Sequence, residues 1–166
     1  MQRLILMRHA TAERAAASGH DRDRRLSPEG RAEAALMGRM LAERGIRPDL
    51  ALVSSAARTR ETWDAVHDAM GDVEVRHEAA LYDATSDTLR RFVEAAEDEA
   101  GCLIVVAHNP GVHHLAMEYL VEGAASPAAL DRMAGFPPGS AALFTVDPAG
   151  RCTFEGYLGP RSEGVR

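Results

Sequence analysis

Short apolar runs without polar alternation recur along this chain, and stretches of helical period separate them. Leu4-Ile5-Leu6-Met7 and the run from Cys102 to Ala107 are apolar at every position. A strand that is apolar on both faces has to be covered on both faces, and helices returning between parallel strands provide that cover. Strands are therefore expected over Arg3–Met7, Leu50–Val53, Val73–Arg76 and Cys102–Ala107. The first helix opens at Ser27-Pro28-Glu29, with Ser as N-cap, Pro at the first helical position and an acid in the first turn. It carries Ala32, Leu36 and Met40 at intervals of four and stops at Gly45. A second helix spans Arg58–Met70, with Trp63, Val66 and Met70 on its inner face. A third carries Leu89, Phe92, Val93 and Ala96 behind a cap at Ser86 or Asp87, and a fourth covers Val112–Val121. The Gly- and Pro-rich connection Gly123–Gly139 holds a short helix near Ala128–Met133. Strands Ala141–Val146 and Cys152–Tyr157 then pair through the turn Asp147-Pro148-Ala149-Gly150. The expected fold is α/β, a three-layer open mixed sheet, mostly parallel, with helices on both faces and a terminal antiparallel hairpin. With 166 residues, the chain is expected to be one domain over residues 1–158 with a polar tail at 159–166.

Composition narrows the chemistry. All 19 basic residues are arginine, which excludes a P-loop lysine, a Schiff-base or pyridoxal lysine and a Ser-Lys pair. A phosphate site here has to use Arg, His and backbone N–H groups. The net charge of −6 and the lack of a basic stripe argue against nucleic acid or an anionic membrane as partner. Cys102 and Cys152 each fall in an expected strand and read as buried free thiols. They lack the spacing of a zinc site, and there is no HExxH or GxSxG. The apolar start is cut short by Arg8 and His9, too soon for a signal-peptide core or a membrane span, so a cytoplasmic protein is expected.

Ligands of such sheets bind beyond the carboxyl ends of the strands. After the first strand come Arg8 and His9. After the second come Ser54, Ser55 and Arg58, and after the Cys102–Ala107 strand come His108 and Asn109. Taken singly, an Arg-His pair after a strand reads as a solvated loop, and an Arg in a first helical turn as a surface residue. At matching topological positions they form a cationic cluster suited to a phosphoryl group. Arg58 and His108 also precede or open helices, whose N-termini favour an anion.

These segments resemble a known family. Leu6-Met7-Arg8-His9-Ala10 resembles the Arg-His signature of the histidine phosphatase superfamily, whose fold is phosphoglycerate mutase-like. Ser54-Ser55-Ala56-Ala57-Arg58-Thr59-Arg60-Glu61-Thr62 is similar to its second phosphate-binding segment, and Ala107-His108-Asn109-Pro110-Gly111 to its second histidine segment. Asp23-Arg24-Arg25-Leu26-Ser27-Pro28-Glu29-Gly30 resembles the approach to the first helix in the SixA-like phosphohistidine phosphatase branch. The resemblance implies that His9 is a nucleophile that becomes transiently phosphorylated. Arg8, Arg58 and His108 would hold the phosphoryl oxygens, with Asn109 beside them, and neither metal nor organic cofactor would be required.

A general acid is harder to place. Larger relatives carry a Glu after the third strand, where this chain has Glu78-Ala79-Ala80-Leu81-Tyr82-Asp83. Asp83 is the nearest match, with Glu78 and Asp21 as alternatives and a turn or cap role as its ordinary reading. Of His113 and His114, one is expected to pack and the other to be solvated. His20, His67 and His77 carry no signal, and Trp63 and the methionines read as core. The expected activity is removal of phosphate from a phosphorylated protein, specifically protein phosphohistidine. The short connection after His77 should leave the site open to a protein side chain. A small phosphate monoester is the alternative substrate, and a non-catalytic phospho-ligand binding module the second alternative.

Overall fold

A computed structural model describes residues 1–161. Six strands form one sheet: β1 (Arg3–Arg8), β2 (Leu50–Ser54), β3 (Glu74–Glu78), β4 (Cys102–Ala107), β5 (Ala141–Val146) and β6 (Cys152–Leu158). Their order is β3-β2-β4-β1-β5-β6. The first four strands in this row are parallel to one another, and β5 pairs antiparallel with both β1 and β6. Helices α1 (Pro28–Glu43), α2 (Ala57–His67), α3 (Ser86–Ala95), α4 (Gly111–Glu122) and α5 (Pro127–Arg132) cover both faces.

The layering follows from the period of two along each strand. Leu4 and Leu6 pack with Leu103 and Val105 under α3, α4 and α5. Ile5 and Met7 pack with Ile104 and Val106 under α1 and α2, where Trp63 is buried. Both faces of β1 and β4 are thus interior, which is why Leu4–Met7 and Cys102–Ala107 are uninterrupted apolar runs.

Several boundaries shift by a single residue, and three differences have a physical reason in the structure. β3 runs two residues further, to Glu78. It is an edge strand with exposed residues, Val75 among them, so its apolar signal is weak. α2 ends at His67 and continues as turns to Met70. The cap of α3 is Thr85, whose hydroxyl accepts from Thr88 N–H at 3.3 Å, so Ser86 and Asp87 lie inside the helix. Ser27 caps α1 as expected, accepting from Gly30 N–H at 3.0 Å. In the β5–β6 turn, Asp147 Oδ1 accepts from Ala149 and Arg151 N–H, with Gly150 at φ 82°.

Cys102 and Cys152 are free, and burial pushes both thiols up to about 11. Gly159 and Pro160 are buried, so the tail expected from residue 159 starts packed; its remainder at 162–166 lies outside the described residues. No described helix is long and apolar enough to cross a membrane.

Candidate active site

The site forms where β1 and β4 lie side by side and the chain leaves them in opposite directions. Arg8 pairs with Ala107, so His9 and His108 emerge at the same level. Their ring centroids are 5.4 Å apart, tilted by 58°. His9 is 7% exposed and His108 3%. His9 Nδ1 lies 2.7 Å from the Ala10 carbonyl oxygen. A carbonyl only accepts, so Nδ1 carries the proton and Nε2 keeps its lone pair.

The helices pin this segment. Ala10 N–H donates to Thr62 Oγ1 at 3.0 Å, and that hydroxyl donates to the Arg58 carbonyl at 2.7 Å. Thr11 donates its N–H and its hydroxyl to buried Glu33. α1 approaches so closely that a Cβ on Gly30 would sit 1.9 Å from the Thr11 carbonyl oxygen. The nucleophile candidate is thus held by two helices at once.

Arg58, in the first turn of α2, is 5% exposed. It donates to the Asp21 carbonyl at 2.9 Å and to Asp21 Oδ2 at 3.0 Å. Arg8 donates to the Phe136 carbonyl at 3.1 Å. Arg24 lies 3.6 Å from Asp21 Oδ1. The Nε atoms of Arg8, Arg24 and Arg58 and Nδ1 of His108 are buried without hydrogen-bond partners among the described residues. Buried donors are nearly always satisfied, and donors of this kind suit the oxygens of a tetrahedral anion.

Electrostatics set the protonation states. Burial, reinforced by Arg58, Arg8 and Arg24, pulls the His9 pKa down to about 4. Burial, His9 and Arg58 pull His108 down to about 3. Both rings are therefore neutral at neutral pH, and His9 is a free base. The Tyr82 hydroxyl and Arg58 hold the Asp21 carboxyl below its ordinary value, while the bond to Asp21 raises Tyr82. Burial and the Arg58 charge lower Arg8, which as a guanidinium stays charged.

These shifts carry a stability prediction. A histidine with a lowered native pKa takes up its proton first in the unfolded chain. Stability should be complete above the ordinary value of 6.5 and fall as pH drops towards about 4 for His9 and about 3 for His108. The loss is on the order of 3–5 kcal/mol per ring. Urea unfolding across this range should show it, and His9→Asn should flatten the slope. An identical slope in wild type and variant would contradict the account.

The structure brings Arg8, His9, Arg58 and His108 together, as the strand ends suggested. Asn109 donates to the same Phe136 carbonyl as Arg8, at 2.9 Å, so it braces Arg8 through a shared acceptor. Asp83 is exposed, at φ 52° in the turn before α3, and makes no hydrogen bond among the described residues. Its neighbour Tyr82 reaches inward, edge-on to His108 at 5.5 Å. Of the three candidate acids, Asp21 is the one bonded to the arginine. Glu78 ends β3 with no side-chain hydrogen bond among the described residues. His113 packs against Phe136 and bonds the Met133 carbonyl, while His114 is exposed.

Arg24, Tyr82 and the Phe136 carbonyl went unassigned as site groups in the sequence. Arg24 sits in a charged loop with no strand to mark it, although the run before Ser27 carried the resemblance. Phe136 acts through its backbone, which leaves no side-chain signal.

Comparison with known proteins agrees with this geometry. The family model described as histidine phosphatase superfamily, branch 1, matches residues 4–89, just over half of the chain. An uncharacterized protein of Mycobacterium leprae (strain TN) is 34% identical over 131 residues, 79% of this chain and 78% of that protein. Among solved structures, the SixA protein of Agrobacterium tumefaciens, assigned as a phosphohistidine phosphatase, superposes with TM-score 0.84 at 31% identity, covering 96% of this chain and 98% of that one. A phosphoglycerate mutase from Plasmodium falciparum shares the fold, with TM-score 0.65 at 16% identity over 95% of this chain and 90% of that one. The paired histidines, the arginine after β2 and the matched residues agree, and the chain belongs to the histidine phosphatase superfamily.

Proposed function

We propose that this protein is a cofactor-independent phosphatase that removes phosphate from protein phosphohistidine through a phosphohistidine intermediate on its own His9. The observation that carries the reading is the set of unpartnered buried donors, from Arg8, Arg24, Arg58 and His108, around a neutral His9. His9 Nε2 attacks phosphorus in line. The new P–N bond forms as the bond to the leaving group breaks, and charge on the three equatorial oxygens meets the arginine and His108 donors. Water then attacks the phosphorus on His9, inorganic phosphate departs, and the Nε2 lone pair returns.

The leaving group supports a P–N substrate. Asp21, the carboxyl bonded to Arg58, is held ionised and has no proton to give at neutral pH. An alkoxide departs badly without a proton donor. A phosphohistidine imidazole departs once its ring has taken a proton from solvent. The connection from β3 to α3 is only Ala79–Thr85, which keeps the wall on that side short and suits a side chain presented by another protein.

The test is phosphate release from a phosphohistidine-bearing protein in the presence of EDTA. Multiple turnover that survives the chelator is expected. Activity lost in EDTA and restored by zinc or magnesium would contradict the metal-free scheme. Binding without turnover, on this substrate and on para-nitrophenyl phosphate, would indicate a phospho-ligand binding module.

A further inference from the structure

Ser54 closes β2 with none of its surface exposed, so its hydroxyl has to find partners inside the protein. Two groups lie within hydrogen-bond reach of its Oγ among the described residues. Ala56 N–H donates to it at 3.4 Å, and His108 Nε2 lies 2.8 Å away. An N–H cannot accept. The Ser54 hydroxyl proton therefore points to His108 Nε2, which must then be the lone-pair nitrogen of the ring. In a neutral imidazole that leaves the proton on Nδ1, the buried nitrogen without a partner.

We infer that Ser54 is a positioning residue that sets His108 in its Nδ1–H tautomer, so that the neutral ring offers a hydrogen-bond donor to the phosphoryl group. The opposite tautomer would turn a lone pair towards the phosphoryl oxygens and repel them. The two histidines of the site then carry the same tautomer with different ends at work. The Ala10 carbonyl holds the proton of His9 on Nδ1 and leaves Nε2 to attack. Ser54 holds the lone pair of His108 on Nε2 and leaves Nδ1–H to bind. Two imidazoles a ring's width apart take opposite roles because one is anchored by an acceptor and the other by a donor. Thr59 keeps Ser54 in place by donating its hydroxyl to the Ser54 carbonyl at 2.7 Å.

The use of this donor rests on the proposed phosphatase reading, whereas the tautomer can be measured without it. Histidines labelled with nitrogen-15 would be observed at neutral pH through long-range proton–nitrogen couplings, with His108 assigned by comparison with His108→Gln. The wild type should show His108 protonated at Nδ1 and bare at Nε2. Ser54→Ala should shift the ring towards the Nε2–H form and weaken inhibition by inorganic phosphate roughly tenfold to a hundredfold, as for a lost hydrogen bond to a charged ligand. Ser54→Thr, which keeps the hydroxyl, should retain the wild-type tautomer. A wild-type His108 protonated at Nε2, or at both nitrogens, overturns the inference, and this measurement decides even if the variants do not fold. An unchanged tautomer in Ser54→Ala overturns it as well. An Nδ1–H ring in a wild type that neither binds nor releases phosphate would uphold the tautomer and sink the phosphatase reading instead.

Discussion

His9→Ala is expected to abolish turnover, with kcat falling on the order of 10⁴–10⁶-fold, as when the nucleophile of a covalent mechanism is removed. The basis is specific to this ring. Its Nδ1 is committed to the Ala10 carbonyl, burial keeps it neutral, and Nε2 is left as a free base among arginines. Rapid quench with labelled substrate should trap an acid-labile, alkali-stable phosphoenzyme in the wild type and none in His9→Ala. Label retained in the variant, or recovered on serine, would overturn the assignment of the nucleophile.

Arg58→Ala is expected to lower kcat about 10²–10³-fold, the loss typical of a deleted oxyanion donor. It should also weaken inhibition by inorganic phosphate. Arg58 is buried, and Asp21 fixes its fork from one side through two hydrogen bonds, so its remaining donors are pre-aligned. Arg58→Lys should recover only part of the activity, because an ammonium cannot bond Asp21 and the phosphoryl oxygens in one plane. Steady-state kinetics of the three proteins would check this. Full activity in the lysine variant would mean that Arg58 acts as charge alone.

The legible parts of the fold were those where burial leaves no choice. β1 and β4 are covered on both faces, so Leu4–Met7 and every residue of β4 are apolar, and the strand limits can be read to within one position. β3 has an open edge and exposed residues, so its limits slipped. The convergence of the four principal candidate residues was legible because a parallel sheet gathers its strand ends, and Arg8-His9, Arg58 and His108 stand at three of them. Groups that act across the chain were not legible. Asp21 meets Arg58 and Tyr82 only because the loop after β1 folds back over α2. Tyr82, rather than Asp83, turns inward from the β3–α3 connection, and sequence spacing cannot say which of two neighbours in a turn does so. The bond from the Asn109 amide nitrogen to the Phe136 carbonyl was not legible either. That acceptor comes from a connection whose composition suggested only a linker.

The central claim, a phosphatase built for phosphohistidine, is tested most directly by one comparison on the wild-type enzyme. kcat/KM would be measured for a phosphohistidine-bearing protein and for simple alkyl phosphates in the same chelated buffer. With Asp21, the carboxyl bonded to Arg58, held ionised, alkyl phosphates lack the proton their leaving oxygen needs, and general acid catalysis typically contributes about 10²–10⁴-fold. The account predicts a preference of at least about a hundredfold for phosphohistidine. Equal values, or a preference for alkyl phosphates, would contradict it and indicate a small-molecule phosphatase of the same superfamily.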